Sequence, residues 1–282
     1  MVLKKIADFV LFSSIFIASC AVALCMQTSL ALRLPLNSVS FYCFVFGATL
    51  AQYNLHYLVK TKAVPDSRRL AWSLKNKKTH KILLVAGIIL IIISFFSFRL
   101  HHFIILAIMG AISVLYSFPV IPIGNKKRIK DYGYLKIITL ALLWTLVTVW
   151  FPAVNESFNS TFFLFVFMKR FVFMFVLCLV FDIRDIEIDS KENINTVAVI
   201  LGRRNSYLLA YITLFLFMIL SLLQNFYFAD ATELIATLVS AIFTFFTIEV
   251  SKKNNSDIIY LAGIDGMMLL QPALVYLFSL KL

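Results

Sequence analysis

Apolar runs of about 20 residues recur along the whole chain, and this restricts the fold more than any other feature, because a helix needs roughly that length to cross hydrocarbon. They fall at about residues 7–32, 38–59, 82–98, 102–118, 135–152, 162–181, 205–226, 230–250 and 257–280. The pattern predicts an all-α polytopic membrane bundle of nine transmembrane helices, with residues 1–282 forming a single integral membrane domain. Hydrophobic side chains make up 61% of the chain and charged ones 14%, and the mean hydropathy is +0.92, which leaves little for a soluble domain. The first run follows Lys4 and Lys5 but outlasts a signal-peptide core and lacks a cleavage pattern, so it is expected to remain as a helix.

The net charge of +12 would suggest nucleic acid in a soluble chain; in this one it is read as topology, and no nucleic-acid partner is expected. In a nine-span arrangement starting inside, 21 Lys and Arg fall on the cytosolic side, against five on the other. Short basic loops resist translocation, so the N-terminus and the loops 60–81, 119–134 and 182–204 are expected in the cytoplasm. The expected location is a plasma membrane of bacterial type. Lys169 and Arg170 interrupt the sixth run and are expected to snorkel outward from a helix that continues past the membrane surface. Cys20, Cys25, Cys43 and Cys178 lie in apolar stretches without metal-ligand spacing and read as small buried thiols. No Gly-rich nucleotide loop or Ser/His/Asp hydrolase arrangement is present in the sequence.

The acids carry more information than the bases. Asp182, Asp185, Glu187, Asp189 and Glu192 crowd into FDIRDIEIDSKEN at the end of the sixth run. Asp182, Asp185 and Asp189 are three and four positions apart, so a continued helix would place their carboxylates on one face. Such carboxylates repel unless a cation joins them, and oxygen ligands of this kind suit Mg²⁺ bridging to phosphate oxygens. The acidic face opens from a Phe/Leu/Val-rich run, which suits a molecule with a charged head and a hydrocarbon tail. Arg184 could pair with an acid or bind phosphate. Basic residues in two other loops, Lys60, Lys62 and Arg68 in one and Lys126 and Arg128 in the other, share that side. The last run holds Asp265, a buried acid of the kind that faces a bundle interior.

FDIRDIEIDSKENINTVAVILGRR resembles the second aspartate-rich motif of the UbiA superfamily of intramembrane aromatic prenyltransferases, with Arg184-Asp185, Asp189, Thr196 and Leu201-Gly202 as the matching residues. LYSFPVIPIGNKKRIKDYGYLK resembles the family's Tyr-Ser/Thr-Pro-like segment and basic loop, and includes Tyr116. The first motif departs: Asn54 in YNLHYLVKTK matches the opening Asn, but Leu58 and Lys62 follow where acids belong.

The resemblance implies a UbiA-prenyltransferase-like fold, with Mg²⁺ as cofactor and an isoprenyl diphosphate and a hydrophobic acceptor as partners among membrane lipids. It implies transfer of the isoprenyl group to an aromatic, quinone-precursor or lipid acceptor. Asp185 and Asp189 are the expected catalytic residues; Asp182, Asp185, Asp189 and Asn54 the expected metal ligands. Lys60, Lys62, Arg68, Lys126, Arg128 and Arg184 are the expected diphosphate contacts, and Tyr116 and Asp265 the polar residues of the pocket. The degenerate first motif leaves open a noncatalytic member that binds isoprenoid diphosphate or lipid, and nine spans leave open a small-molecule transporter.

Overall fold

The computed structural model describes residues 2–59, 67–117 and 132–279. Every described element is helical: α1 (Val2–Phe12), α2 (Ile15–Ala31), α3 (Val39–Val59), α4 (Arg68–Lys75), α5 (Lys77–Phe95), α6 (Leu100–Ser117), α7 (Gly133–Thr145), α8 (Phe151–Ala153), α9 (Ser160–Arg184), α10 (Ile186–Lys191), α11 (Val197–Phe228), α12 (Ala231–Lys253) and α13 (Met267–Ser279). A π-helical turn, Leu146–Trp150, joins α7 to α8, and another, Ile259–Ile264, precedes α13.

The nine-span expectation is corrected. Among the described residues six helices are long and apolar enough to cross a membrane: Lys77–Phe95, Gly133–Ala153, Ser160–Arg184, Val197–Phe228, Ala231–Lys253 and Ile259–Ser279. The pair Lys4–Phe12 and Ile15–Ala31, bent by 64°, makes a seventh if taken as one span. Run 38–59 became α3, which is long enough but carries Gln52, Asn54 and His56 in its second half. Run 102–118 became the shorter apolar helix Leu100–Tyr116. Both are apolar enough to sit in a bundle without qualifying as free spans, a distinction that run length alone does not make.

The most buried span is α9. Phe173, Val176, Leu177, Leu179 and Val180 are fully enclosed, because α7 and α11 cover it on two sides. Ring pairs Phe162–Phe228 at 4.6 Å and Phe173–Phe217 at 5.1 Å show α9 and α11 running antiparallel. Ile82, Ile93, Ile212 and Phe215 stay exposed, as expected of side chains that face lipid instead of water. The four cysteines are free; Cys20, Cys25 and Cys178 are buried, as read from the sequence, whereas Cys43 is only half-buried.

Breaks in the helices set the site. Ser14 has a φ of 67° and turns α1 into α2; its hydroxyl accepts from Arg69 at 3.1 Å, and the Ser13 carbonyl accepts from Asn54 Nδ2 at 3.1 Å. In the π turn after α7, carbonyls displaced from the regular ladder accept from α2: Thr148 O from Thr28 Oγ1 at 2.6 Å, and Val147 O from Cys25 Sγ at 3.4 Å. Gly202 has a φ of 74° and a ψ of 163° inside α11. A side chain there would be strained, which gives the Leu201-Gly202 pair a physical reason: the glycine redirects α11 after its first turn.

Candidate functional site: an aspartate pair closed on a lysine

Helix α9 ends at Arg184 and α10 begins at Ile186, with Asp185 between them at φ −91° and ψ 7°. The single helical face expected for the three aspartates is therefore broken at the middle one. Asp182 and Asp189 turn together toward α7, and Lys136 donates to Asp182 Oδ1 at 2.9 Å and Asp189 Oδ2 at 3.0 Å. Asp185 instead takes Arg184 in a forked pair, Nε to Oδ1 at 2.8 Å and Nη2 to Oδ2 at 3.2 Å.

What holds Lys136 in place is the start of α7. A Cβ on Gly133 would lie 1.7 Å from the Asn195 carbonyl oxygen, so only glycine lets α7 press against the chain that follows α10. Thr196 then caps α11, its hydroxyl accepting from Val199 N at 3.3 Å. Asp182 and Asp189 are buried, and Asp182 Oδ2 has no hydrogen-bond partner among the described residues. Burial raises the Asp189 carboxyl above the usual range, and the Lys136 ammonium pulls it partly back.

A second charged group adjoins the first. Arg184 lies 3.8 Å from Asp257 and stacks over Phe181 at 5.0 Å and Tyr260 at 4.8 Å. Asp257 Oδ2 accepts the Arg69 backbone N–H at 2.7 Å, and the Arg69 guanidinium lies over Tyr57 at 4.5 Å. Asp265 is buried within electrostatic reach of Arg69 and Arg184, and no described side chain hydrogen-bonds its carboxylate. Tyr116 lies within electrostatic reach of Lys136, Asp182 and Asp189.

Other expected residues fall elsewhere. Arg68 is partly exposed, pairs with Asp8 and lies 5.8 Å from the Phe12 ring. Asn54 is fully buried: its Nδ2 donates to Ser13 O and Leu50 O, and its Oδ1 accepts from His80 Nδ1 at 2.6 Å. Those bonds tie α3 to the α1–α2 corner and to α5, and none reaches an aspartate. Lys60, Lys62, Lys126 and Arg128 lie outside the described residues. A cavity of about 250 Å³, lined among others by Asn37, Arg99, His102 and Glu156, opens between the starts of α3 and α6 and the chain from α8 toward α9, at the opposite end of α9 from the aspartates.

Lys136 and Arg69 were missed as site residues. Lys136 counted as one more basic residue near a loop, although its place in the first turn of α7 is a usable signal. Arg69 differs from Arg68 by one position, and the helical phase of α4, with Arg69, Leu70 and Ser73 buried, distinguishes them. Lys169 and Arg170 do not snorkel. Both are buried, Lys169 donating to Glu233 at 3.3 Å and Arg170 to Gln27 Oε1 at 2.8 Å.

For a divalent metal, the all-oxygen donor set and the partnerless Asp182 Oδ2 fit Mg²⁺. Among the described residues no three His, Cys, Asp or Glu side chains form a metal-holding group, since Asp185 is turned to Arg184 and Lys136 stands between the other two.

The fold is found in solved structures. One of digeranylgeranylglyceryl phosphate synthase matches with a TM-score of 0.58 at 16% identity, covering 99% of this chain and 100% of that one. A UbiA homologue from Archaeoglobus fulgidus bound to GPP and Mg²⁺ matches with a TM-score of 0.62 at 13% identity, covering 96% and 99%. The same homologue bound to DMAPP and Mg²⁺ gives 0.61 at 14%, with the same coverage. No curated protein matches the chain significantly. The profile of the UbiA prenyltransferase family matches residues 73–262, from the turn of α4 to the last π turn, and so takes in Lys136 and all three aspartates. With well over half its length matched, the chain belongs to the UbiA prenyltransferase family.

Proposed function

We propose that this protein transfers an isoprenyl group from a prenyl diphosphate to a hydrophobic acceptor, aromatic, quinone-precursor or lipid, at the junction of α9 and α10. The observation that carries the reading is the closure of Asp182 and Asp189 on one cation position, at 2.9 and 3.0 Å, across the break at Asp185. The Mg²⁺ and prenyl diphosphates bound by the Archaeoglobus homologue support it. Asp182 and Asp189 would hold Mg²⁺, with Asp185 joining them only on leaving Arg184, and the ion when bound would neutralise charge on a diphosphate leaving group. Lys136 swings from the carboxylates to phosphate oxygens, and Arg184 and Arg69 present planar forks to the same anion. In the same reading Lys60, Lys62, Lys126 and Arg128 supply further diphosphate contacts. Phe181 and Tyr260, already under the Arg184 guanidinium, offer ring faces to positive charge developing on the allylic carbon. Asp265 balances and orients the two arginines, and Tyr116 offers a hydroxyl beside Lys136.

The test is an assay of the purified full chain with prenyl diphosphates of several lengths and a panel of aromatic and lipid acceptors, reading diphosphate release and prenylated product by mass spectrometry. Mg²⁺-dependent product supports transfer. Lys136 in the place of a metal favours a second reading, a noncatalytic binder. Mg²⁺-dependent binding of the prenyl diphosphate with no turnover on any acceptor selects that reading, and binding of neither substrate contradicts both.

A further inference from the structure

Charged side chains are scarce at the end of the bundle away from the aspartates. In its turns 32–38, 96–99, 154–159 and 229–230 they are Arg33, Arg99, Glu156 and Asp230. Arg33 and Asp230 lie within electrostatic reach of each other. The other two, of opposite sign, both line the cavity of about 250 Å³. Among the described residues neither of their side chains forms an ion pair or a hydrogen bond.

Bonds between its walls hold this cavity in shape. Asn37 Nδ2 donates to the Pro152 carbonyl at 3.0 Å, tying the α2–α3 turn to α8. Asn155 Nδ2 lies 3.0 Å from His102 Nδ1, tying the turn after α8 to α6, and His102 stacks on Phe98 at 4.8 Å. Walls fixed in this way need little ordering when a ligand enters. The volume suits a head group of a few heavy atoms, below the ~300–1,000 Å³ of pockets for drug-sized molecules. Beside the cavity Leu36, Val39, Phe96 and Leu100 are exposed, Phe96 at 85%, and form an apolar border.

A guanidinium presents a fork of donors to phosphate, and a carboxylate accepts from an ammonium. A simple anion in this cavity would meet the Glu156 carboxylate and a simple cation would meet Arg99, whereas a molecule carrying both charges satisfies the two at once. We propose that the cavity binds the head group of a zwitterionic phospholipid, with phosphate at Arg99, ammonium at Glu156 and the acyl chains leaving over Leu36 and Phe96. The apolar border favours a lipid over a free zwitterion of the same chemistry. The site lies the length of α9, Ser160–Arg184, from the aspartate pair and does not depend on the proposed transfer reaction.

The experiment follows thermal unfolding of the purified full chain in mixed micelles carrying dioleoylphosphatidylethanolamine or dioleoylphosphatidylglycerol, which share acyl chains and differ in head group. The wild type is expected to gain about 3 °C or more with the ethanolamine lipid over the glycerol lipid, saturating with lipid concentration. Arg99 and Glu156 are exposed, so Arg99→Gln and Glu156→Gln are expected to fold and to lose that preference. Glu156→Gln, which keeps the phosphate partner and removes the opposing carboxylate, is further expected to respond equally to both lipids. Arg33→Gln, a cation at the same end but outside the cavity, is expected to keep the wild-type preference. Free phosphoethanolamine is expected to give less than a third of the gain; a gain as large as the lipid's overturns the assignment to a lipid. Equal midpoints in the two lipids for the wild type, or a preference unchanged in Arg99→Gln and Glu156→Gln, overturns the site itself.

Discussion

Asp182 and Asp189 stand on opposite sides of the helix break at Asp185 and close on the same Lys136 ammonium, at 2.9 and 3.0 Å. The lysine serves as the counter-charge that lets two buried carboxylates coexist while the site holds no metal or diphosphate. Lys136→Met therefore leaves like charges facing each other, and the variant is expected to lose about 2–3 kcal/mol of stability in metal-free buffer. Thermal unfolding with and without Mg²⁺ checks this: added Mg²⁺ is expected to restore more stability to Lys136→Met than to the wild type.

Gly133 controls where that lysine stands. Alanine there places a Cβ 1.7 Å from the Asn195 carbonyl, so Gly133→Ala is expected to cost about 3 kcal/mol or more by pushing α7 away from the α10–α11 connection. Gly110 is the matched control, since a Cβ there meets nothing within 4 Å. Gly110→Ala is expected to change stability by no more than about 1 kcal/mol, in the stabilising direction. Unfolding midpoints of the two variants side by side decide the matter.

Much of this site is legible in residue spacing. Asp182, Asp185 and Asp189 stand out by their crowding at the end of an apolar run, with Asp185 and Asp189 expected as the catalytic pair, and Arg184 by lying among them. The break at Asp185 does not, because nothing in the spacing distinguishes a continued helix from one that ends and restarts within a residue. Lys136 was hidden because positive charge beside a membrane loop already has a topological explanation. Span number failed for a related reason: run length does not separate a lipid-facing helix from one like α3, whose Asn54 is satisfied by Ser13, Leu50 and His80 inside the protein. Lys169 and Arg170 read as surface charges because their partners, Glu233 and Gln27, lie 64 and 143 residues away.

The two arginines at the start of α4 are expected to separate cleanly. Arg69 is buried over Tyr57 and bonded to Ser14, so Arg69→Gln is expected to cost about 2 kcal/mol and to weaken prenyl diphosphate binding. Arg68 pairs with Asp8 at the surface, and Arg68→Gln is expected to change stability by less than about 1 kcal/mol. Denaturation midpoints and ligand titrations on both variants check the contrast.

Glu233 carries Lys169 in the membrane interior. Glu233→Gln is expected to destabilise the bundle by about 3–5 kcal/mol, since the buried ammonium loses its carboxylate. Replacing both, as Lys169→Met with Glu233→Met, is expected to recover most of that loss. A double-mutant cycle on unfolding midpoints measures the coupling, and additive losses would show that the two side chains do not act as a pair.

The central claim, that Asp182 and Asp189 form the metal and diphosphate end of the site, is tested most directly by equilibrium binding of a nonreactive prenyl thiolodiphosphate to purified protein across an Mg²⁺ titration. The wild type is expected to bind only when Mg²⁺ is present. The double variant Asp182→Asn with Asp189→Asn, shown to be folded by its unfolding transition, is expected to lose at least about 100-fold in Mg²⁺-dependent affinity. Unchanged Mg²⁺-dependent binding in that variant would contradict the claim.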